Sequence, residues 1–357
     1  MRVLSISADR SKRGVLYRGS PAFKRHESYA RAFGSLDIIA FSLKSDGVHV
    51  VDAGPLCVYP TNAPSKWLQA FYALRIARTL SKPDVVSAQD PFETGFVAWL
   101  IAIFLRSPLH IQVHTDFLPP EYARLSVLNR ARAVIAGFVL KRATRVRVVS
   151  KRIKAGIEKR YALRVPVTVL PIFTDLQRIR AGVRDSALEK RFAPYGTKIL
   201  VVSRLEKEKN VALAIRAYAA VAPESSCLII MGEGREREAL ARLSHSLSAH
   251  RIFFEGDRDV APYYALADLV LFPSKYDGYG LVIVEALAAG KPVLSTDVGI
   301  AREAGAIVVH EEKFTDALKE WFAGGPRVGE LRDYPYKNFD EYVAAYRDDI
   351  ASCARGK

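Results

Sequence analysis

The sequence predicts an α/β fold built from two doubly wound parallel-sheet halves. Three observations lead there. Short β-rich runs alternate with helical runs through the first half, as in a parallel sheet covered on both faces. In the second half, Leu269 to Thr296 passes from a buried strand through a glycine-rich turn into an apolar helix and out into another strand. At 357 residues the chain is long enough for two domains, each with its own core. The expected division is 1–185, then 186–335, then a helical segment at 336–357 that can cross back to the first domain.

Taken in order, the strand candidates of the first half are Val3–Ser7, Asp37–Ser42, Val48–Asp52, Asp84–Ala88, Leu109–Val113, Arg145–Ser150 and Val167–Leu170. Helical patterns lie at Tyr29–Phe33, Lys66–Leu80, Thr94–Leu105 and Leu125–Arg142. The loop from Ala8 to Pro21 is rich in Arg, Lys, Ser and Gly, with Gly14 and Gly19 standing apart. At 84–95 the chain reads DVVSAQDPFETG, a strand, a polar turn and a helix start. Gln89, Asp90 and Glu93 there either border a ligand crevice or serve the helix, with Asp90 or Thr94 as cap. IQVHTD delivers His114 to the end of a strand. From Glu121 onward, apolar positions at helical spacing are interspersed with Arg and Lys, and 140–164 is a dense basic run.

The second half is more regular. Strands are expected at Ile199–Ser203, Leu228–Met231, Ile252–Glu255, Leu269–Phe272, Val293–Thr296 and Ile307–Val309, with helices between, and Tyr342–Ile350 is helical. VSRLEKEKN brings Arg204 and Lys209 into one loop after a strand, and IMGEG places Gly232 and Gly234 after the next. The densest motif is FPSKYDGYGLVIVEALAAGKPVLST. Its helix begins on Gly278, Tyr279 and Gly280, where bare N–H groups and the positive dipole end can hold an anion. Asp277 and Glu285 flank that start. Acids beside an anion site must face something other than the anion, and hydroxyl groups suit a carboxylate.

No apolar run approaches the ~20 residues needed to span a bilayer; the longest, Phe96 to Leu105, is closed by Arg106. The opening MRVLSISADR reads as a first strand rather than a signal peptide. Cys57, Cys227 and Cys353 form no metal or disulfide pattern, which suits a reducing cytoplasm. The formal charge of +15 is lopsided: residues 1–190 carry +17 and residues 191–357 carry −2. Such asymmetry points to a polyanionic partner for the first half. No recognition-helix signature or aromatic stacking platform favours nucleic acid. The expectation is a cytoplasmic protein whose basic half can dock peripherally on the cytoplasmic face of an anionic membrane.

The motif at 277–292 resembles the donor-binding signature of the retaining GT-B glycosyltransferases of family 4. Asp277, Gly278, Tyr279, Gly280, Glu285, Ala286, Leu287, Ala288, Gly290 and Pro292 match it. Asp277 departs from the usual Glu, which shortens the reach by roughly 1.5 Å. Arg204-Leu205 with Lys209, the Gly-x-Gly at 232–234, Tyr264, Asp268 and Pro273-Ser274 also stand at family spacing. The resemblance implies two Rossmann-like domains facing a cleft, and transfer of a hexose from a nucleoside diphosphate sugar, a UDP-sugar or GDP-sugar, with retention. The acceptor implied is a glycan or a lipid-linked molecule. Arg204, Lys209 and the N–H groups around Gly280 and Leu281 would hold the diphosphate. Glu285 would hold the ribose, and Asp277 and His114 the donor sugar. Gly232, Gly234 and Gly14 would allow close approach of the backbone to substrate. Gln89, Asp90 and Glu93 would then border the acceptor. The match thins at Gly14, at IFTD (172–175), where only Asp175 fits, and at GIARE, where Ile300 replaces a glycine before Glu303.

No cofactor or metal is expected, because two cations can stabilise the leaving diphosphate. Asp257-Arg258-Asp259 has the Asp-x-Asp form of a metal-diphosphate ligand pair, but its frame suits a polar surface turn. Two rival readings are an epimerase or phosphorylase of related fold, and a non-catalytic polyanion-binding protein.

Overall fold

The computed structural model describes residues 1–247 and 251–356. They form two compact units, Met1–Pro171 with the segment from Lys337 onward, and Ile172–Tyr336. Each is an α/β unit around one sheet.

The first unit runs β1 (Arg2–Ser7), α1 (Pro21–Phe33), β2 (Ser35–Ala40), β3 (Val51–Ala53), β4 (Leu56–Pro60), α2 (Gln69–Ala77), β5 (Val85–Ala88) and α3 (Glu93–Leu105). It continues through β6 (Leu109–Val113), α4 (Pro120–Arg124), α5 (Val127–Leu140), β7 (Arg145–Val148), α6 (Lys151–Tyr161) and β8 (Val167–Val169). The eight strands lie in the order β3-β4-β2-β1-β5-β6-β7-β8. All pair in parallel except the edge hairpin β3–β4, whose turn is closed by Asp52 accepting from the Gly54 N–H, with Gly54 at φ 72°. Strand β4, the short LCVYP, was not anticipated.

Local chemistry sets most helix boundaries. Ser20 caps α1 by accepting from the Phe23 N–H, and Pro21 fills the first helical position, where a missing N–H costs nothing. This helix therefore begins well before the Tyr29–Phe33 pattern that marks its apolar face. Ser126 and Ser150 cap α5 and α6 in the same way. Right-handed crossovers put α2, α3 and α5 on one face of the sheet and α1 on the other.

The second unit contains α7 (Leu176–Arg180), α8 (Ser186–Phe192), β9 (Thr197–Val202), α9 (Val211–Val221), β10 (Ser226–Met231), α10 (Arg237–Ser246), β11 (Ile252–Gly256) and α11 (Ala261–Leu266). Then come β12 (Leu269–Phe272), α12 (Leu281–Ala288), β13 (Val293–Thr296), α13 (Ala301–Ala304), β14 (Ile307–Val309) and α14 (Phe314–Gly324). Its six parallel strands are ordered β11-β10-β9-β12-β13-β14. Ile199, Leu228, Leu269 and Leu294 of the sheet pack with Ile215 and Tyr218 of α9 and Phe314, Leu318 and Trp321 of α14. The chain passes between units at Pro171–Ile172, earlier than the 185/186 division, because Leu176 and Ile179 of α7 are buried and α7 packs against α11 and α12.

The last helix, α15 (Phe339–Ala354), belongs to the first unit. Asn338 caps it, and it packs beside α1 over β5 and β6.

Candidate active site

The strand order reverses direction at β9, with β10 to one side and β12 to the other. Ligands of open α/β sheets bind beyond the carboxyl ends of the strands at such a switch point. The loops leaving β9 and β12 are joined there: the Lys275 N–H donates to the Glu208 carbonyl at 2.8 Å. The β9 loop carries Arg204 and Lys209, the β12 loop Asp277.

Lys209 ends a 3-10 turn, Lys207–Lys209, and its Nζ lies 2.6 Å from Asp277 Oδ2. Both side chains are about one-sixth exposed, at 15% and 18%. The other oxygen of Asp277 accepts from the Tyr279 N–H at 3.0 Å, which closes the turn around the buried Gly278. Arg204 is exposed, and its guanidinium reaches Glu208 at 3.3 Å.

Gly280 sits at φ 93° and starts α12, so Leu281 heads a helix whose first N–H groups have no acceptor within it. The turn is braced from behind: the Ile300 N–H donates to the Tyr279 carbonyl at 2.9 Å, and a Cβ on Gly299 would lie 2.3 Å from that oxygen. Tyr279 is buried, and burial with the neighbouring Tyr334 and Tyr336 hydroxyls and Glu303 pushes its phenol far above the usual range. The glycines at 232 and 234 have a local cause. A Cβ on Gly232 would stand 1.9 Å from the Ser203 carbonyl oxygen, and one on Gly234 would stand 2.3 Å from that of Leu205. Their close approach is to the Arg204 loop, which the Leu205 N–H fastens to the Glu233 carbonyl at 2.9 Å.

Glu285, one turn into α12, accepts from the Tyr264 hydroxyl at 2.9 Å and the Thr174 hydroxyl at 3.2 Å. Burial raises its carboxyl above the ordinary value, and these two hydrogen bonds oppose the shift. Thr174 is held in turn, its N–H donating to the Tyr334 oxygen at 2.8 Å. Thr174 and Tyr334 escaped the sequence reading, since IFTD offers only a partial match and Tyr334 lies in an irregular segment. Asp175 caps α7 through the Gln177 N–H. Asp259 of the Asp-x-Asp is engaged by Arg178 and by the Ala261 N–H. Asp268 accepts from the Lys198 N–H at 2.7 Å, a strand-bracing role.

In the first unit, Gly14 is buried in its own loop: a Cβ would meet Asp9 at 2.9 Å, and its carbonyl accepts from Ser20. Gln89 at the end of β5 accepts from Ser7 and donates to the ring of His26, whose Nδ1–H donates to the Ala22 carbonyl. Asp90 accepts from the Phe92 N–H, and Glu93 pairs with Arg132 at 2.8 Å.

His114 stands just past β6, with its Nε2 at 3.2 Å from Gln112 Oε1. An amide oxygen only accepts, so the Nε2 carries the proton. The same oxygen accepts from Arg147 at 2.9 Å, while the Gln112 amide donates to Tyr346 at 2.9 Å and to Ser87. Burial, and then the positive charge of Arg147, depress the His114 pKa to about 3. Arg147 is 1% exposed; it donates to the Tyr342 hydroxyl at 2.9 Å and lies over the Tyr346 ring. Beside it, Asp349 of α15 meets His110 at 2.9 Å and Arg145 at 2.6 Å. This network was missed, yet it left a trace. His110 pairs with Arg145 and Gln112 with Arg147 across β6 and β7, so one face of two interior strands carries four polar groups. A covered parallel sheet tolerates that only where a partner brings matching groups.

Residues 17–172 match the glycosyl transferase 4-like domain, and residues 196–323 match glycosyl transferases group 1. The chain is 35% identical over 126 residues to N-acetylgalactosamine-N,N'-diacetylbacillosaminyl-diphospho-undecaprenol 4-alpha-N-acetylgalactosaminyltransferase of Campylobacter jejuni, covering 34% of this chain and 33% of that one. It is 32% identical over 133 residues to a GDP-mannose-dependent alpha-mannosyltransferase of Mycobacterium tuberculosis, covering 36% and 33%. The matched stretch is thus about a third of each relative. Across the whole fold the chain is similar to Anabaena HepE, solved with UDP and glucose, at a TM-score of 0.68 and 18% identity, covering 99% of this chain and 95% of that one. With both domain models matched and the two-sheet architecture shared, the chain belongs to the group 1 glycosyltransferases of the GT-B fold.

Proposed function

We propose that this protein transfers a hexose from a nucleoside diphosphate sugar to a glycan or lipid-linked acceptor, with retention of configuration and without a metal. The observation that carries the reading is the second unit's switch point: two cations, a glycine-started helix and two acids gathered on adjoining loops. Arg204, Lys209 and the first N–H groups of α12 bind the diphosphate and stabilise the charge that grows as the sugar leaves. Glu285, which accepts from the Tyr264 and Thr174 hydroxyls, exchanges them for ribose hydroxyls. Asp277 is assigned to the donor sugar. With no carboxylate assigned as a nucleophile, the leaving phosphate takes the acceptor proton on the same face. A nucleotide-sugar donor is supported by relatives and neighbours whose names record GDP-mannose or UDP, and a lipid-linked acceptor by the undecaprenol-linked acceptor in the name of the Campylobacter relative.

The test is a panel of UDP- and GDP-sugars, with release of nucleoside diphosphate measured with and without EDTA. Hydrolysis of one donor, unchanged by EDTA and with the α configuration kept in the sugar product, is the expected result. Loss in EDTA with rescue by Mn²⁺ would overturn metal independence. No release from any donor, even with acceptors added, would favour a binding protein.

A further inference from the structure

We propose that the outer face of α2, α3 and α5 is a docking surface for an anionic lipid membrane. The evidence for it is independent of the transfer reading, although its purpose, access to a lipid-linked acceptor, rests on that reading.

Helix α3 is apolar all round. Its inner row, including Val97, Ala98 and Ile101, is buried on the sheet, but on the outer row Ile103 and Phe104 are 58% and 52% exposed. A helix apolar on every side ordinarily has both sides covered. On one flank the turn into α2 presents Trp67, 94% exposed, and Phe71, 60% exposed. On the other, Val127 and Val134 of α5 are each 75% exposed. The three helices are neighbours, with Trp99 of α3 edge-on to Phe138 of α5 at 4.8 Å. Isolated exposed apolar side chains are normal on a surface, but a run of them across three adjoining helices marks an interaction site.

The charge on this face selects the occupant. Residues 65–82 carry Lys66, Arg75, Arg78 and Lys82 and no acid; residues 127–142 carry Arg130, Lys141 and Arg142, besides Arg132, whose charge is met by Glu93 of α3. Two of these cations lie on the aromatic rings themselves: Arg78 is 5.0 Å from the Phe104 ring centre and Arg142 is 3.6 Å from that of Phe138. Aromatic rings capped by guanidinium groups match a lipid interface, where rings enter the acyl boundary and cations stay at the phosphates. A second copy of the same face would set like charges against each other. Spanning is not at issue, since among the described residues no helix is long and apolar enough to cross a membrane. The continuation of the basic run into α6 is less suited, because Arg152 is paired with Asp116 and Lys154 with Glu158.

The full chain is sedimented with phosphatidylcholine vesicles, with or without phosphatidylglycerol. Binding should require phosphatidylglycerol and reverse at 1 M salt, where the Debye length falls to about 3 Å. Trp67 emission should shift to the blue, and Trp67→Phe should lose that shift. Phe71→Ser with Phe104→Ser, and separately Arg78→Glu with Arg142→Glu, should each weaken binding at least tenfold. Their melting temperatures and rates of donor hydrolysis should match wild type. Equal binding by the variants, or equal binding to both vesicle types, overturns the proposal. So does a dimer in sedimentation velocity that the two serine substitutions dissolve, which would make this face a self-association contact. Vesicle binding lost in both variants supports the surface even if no nucleotide sugar is hydrolysed, so the two readings fail separately.

Discussion

Lys209 and Asp277 hold each other at 2.6 Å, which changes how either is to be tested. Removing the lysine alone leaves a mostly buried carboxylate without its cation, a loss of stability as well as of function. Lys209→Ala should cut turnover roughly 10²–10³-fold through the lost diphosphate contact. The stability loss should be roughly halved in the double variant Lys209→Ala with Asp277→Asn, whereas turnover should not recover; urea melts and initial rates on both variants and on Asp277→Asn alone separate the two effects. A turnover within a few-fold of wild type in Lys209→Ala would remove the lysine from the diphosphate site. The aspartate also explains its own shortness. One oxygen closes the turn on the Tyr279 N–H and the other meets Lys209, a geometry set by a short side chain. Asp277→Glu should therefore loosen the turn and lower activity with the same donor. Retained full activity would mean that the longer, more usual acid fits the loop equally well. Asp277→Asn, which keeps the shape and removes the charge, should cost more than tenfold, about 1.4 kcal/mol or more in the transition state.

At the scale of elements, helix α15 determines how His114, just past β6, is presented. Gln112 cannot turn its amide, because its oxygen is claimed by Arg147 and its nitrogen by Tyr346, and so it fixes the tautomer of His114. Gln112→Glu would place a carboxylate between the arginine and the imidazole, with Tyr346 now donating instead of accepting. An adjacent negative charge favours the protonated ring, so the His114 pKa should rise from its depressed value toward the ordinary range. Ring-proton NMR titration reads this directly, and an unshifted His114 would show that Gln112 does not face it in solution. The strands and the glycine-started turn of the second unit were legible because their signals are local: apolar runs, glycines at fixed offsets, a cap. The N-terminal half of α1 was not read: the loop was expected to run to Pro21, although Ser20 and Pro21 form the helix start. The α15 network was not legible. Asp349, Tyr342 and Tyr346 look like the wet side of a surface helix, and their partners His110, Arg147 and Gln112 lie some two hundred residues earlier. Pairing over that separation leaves no local trace beyond unexplained polar residues in buried strands. The site was half readable: Glu285 and Asp277 stand in a motif, but Thr174 and Tyr334 occupy Glu285 and its neighbour from outside it.

Buried histidines should make the first unit the more acid-sensitive of the two, although Asp90 and Asp37 of the same unit, whose carboxyls burial raises, offset part of the effect. In the first unit the buried His26 has a pKa lowered to about 4 by burial, the partly buried His114 is lowered to about 3, and the buried His110 is also lowered. An unfolded histidine titrates near 6.5, so between pH 6.5 and about 4 the unfolded chain binds protons that the folded unit refuses. Stability is then lost as pH falls, by about 1.4 kcal/mol per pH unit for each of His26 and His114, and His110 acts in the same direction. Asp349, held well below the carboxylate range by His110 and Arg145 against its own burial, adds its loss only below about pH 4. The +17 charge of residues 1–190 adds repulsion in the same direction. In the second unit the raised carboxyl is Glu285. A carboxyl with a raised folded pKa is destabilising while ionised, and acidification through that pKa relieves it. Pulse proteolysis in urea at pH 7 and pH 5, with cleavage sites read by mass spectrometry, tests this. Cleavage within residues 1–171 should begin at markedly lower urea at pH 5, while cleavage within 172–336 should shift little. His26→Leu should flatten the dependence of the first unit, because the leucine neither refuses nor takes a proton. If both units lose stability equally on acidification, the buried neutral histidines are not the cause, and general charge repulsion across the chain is.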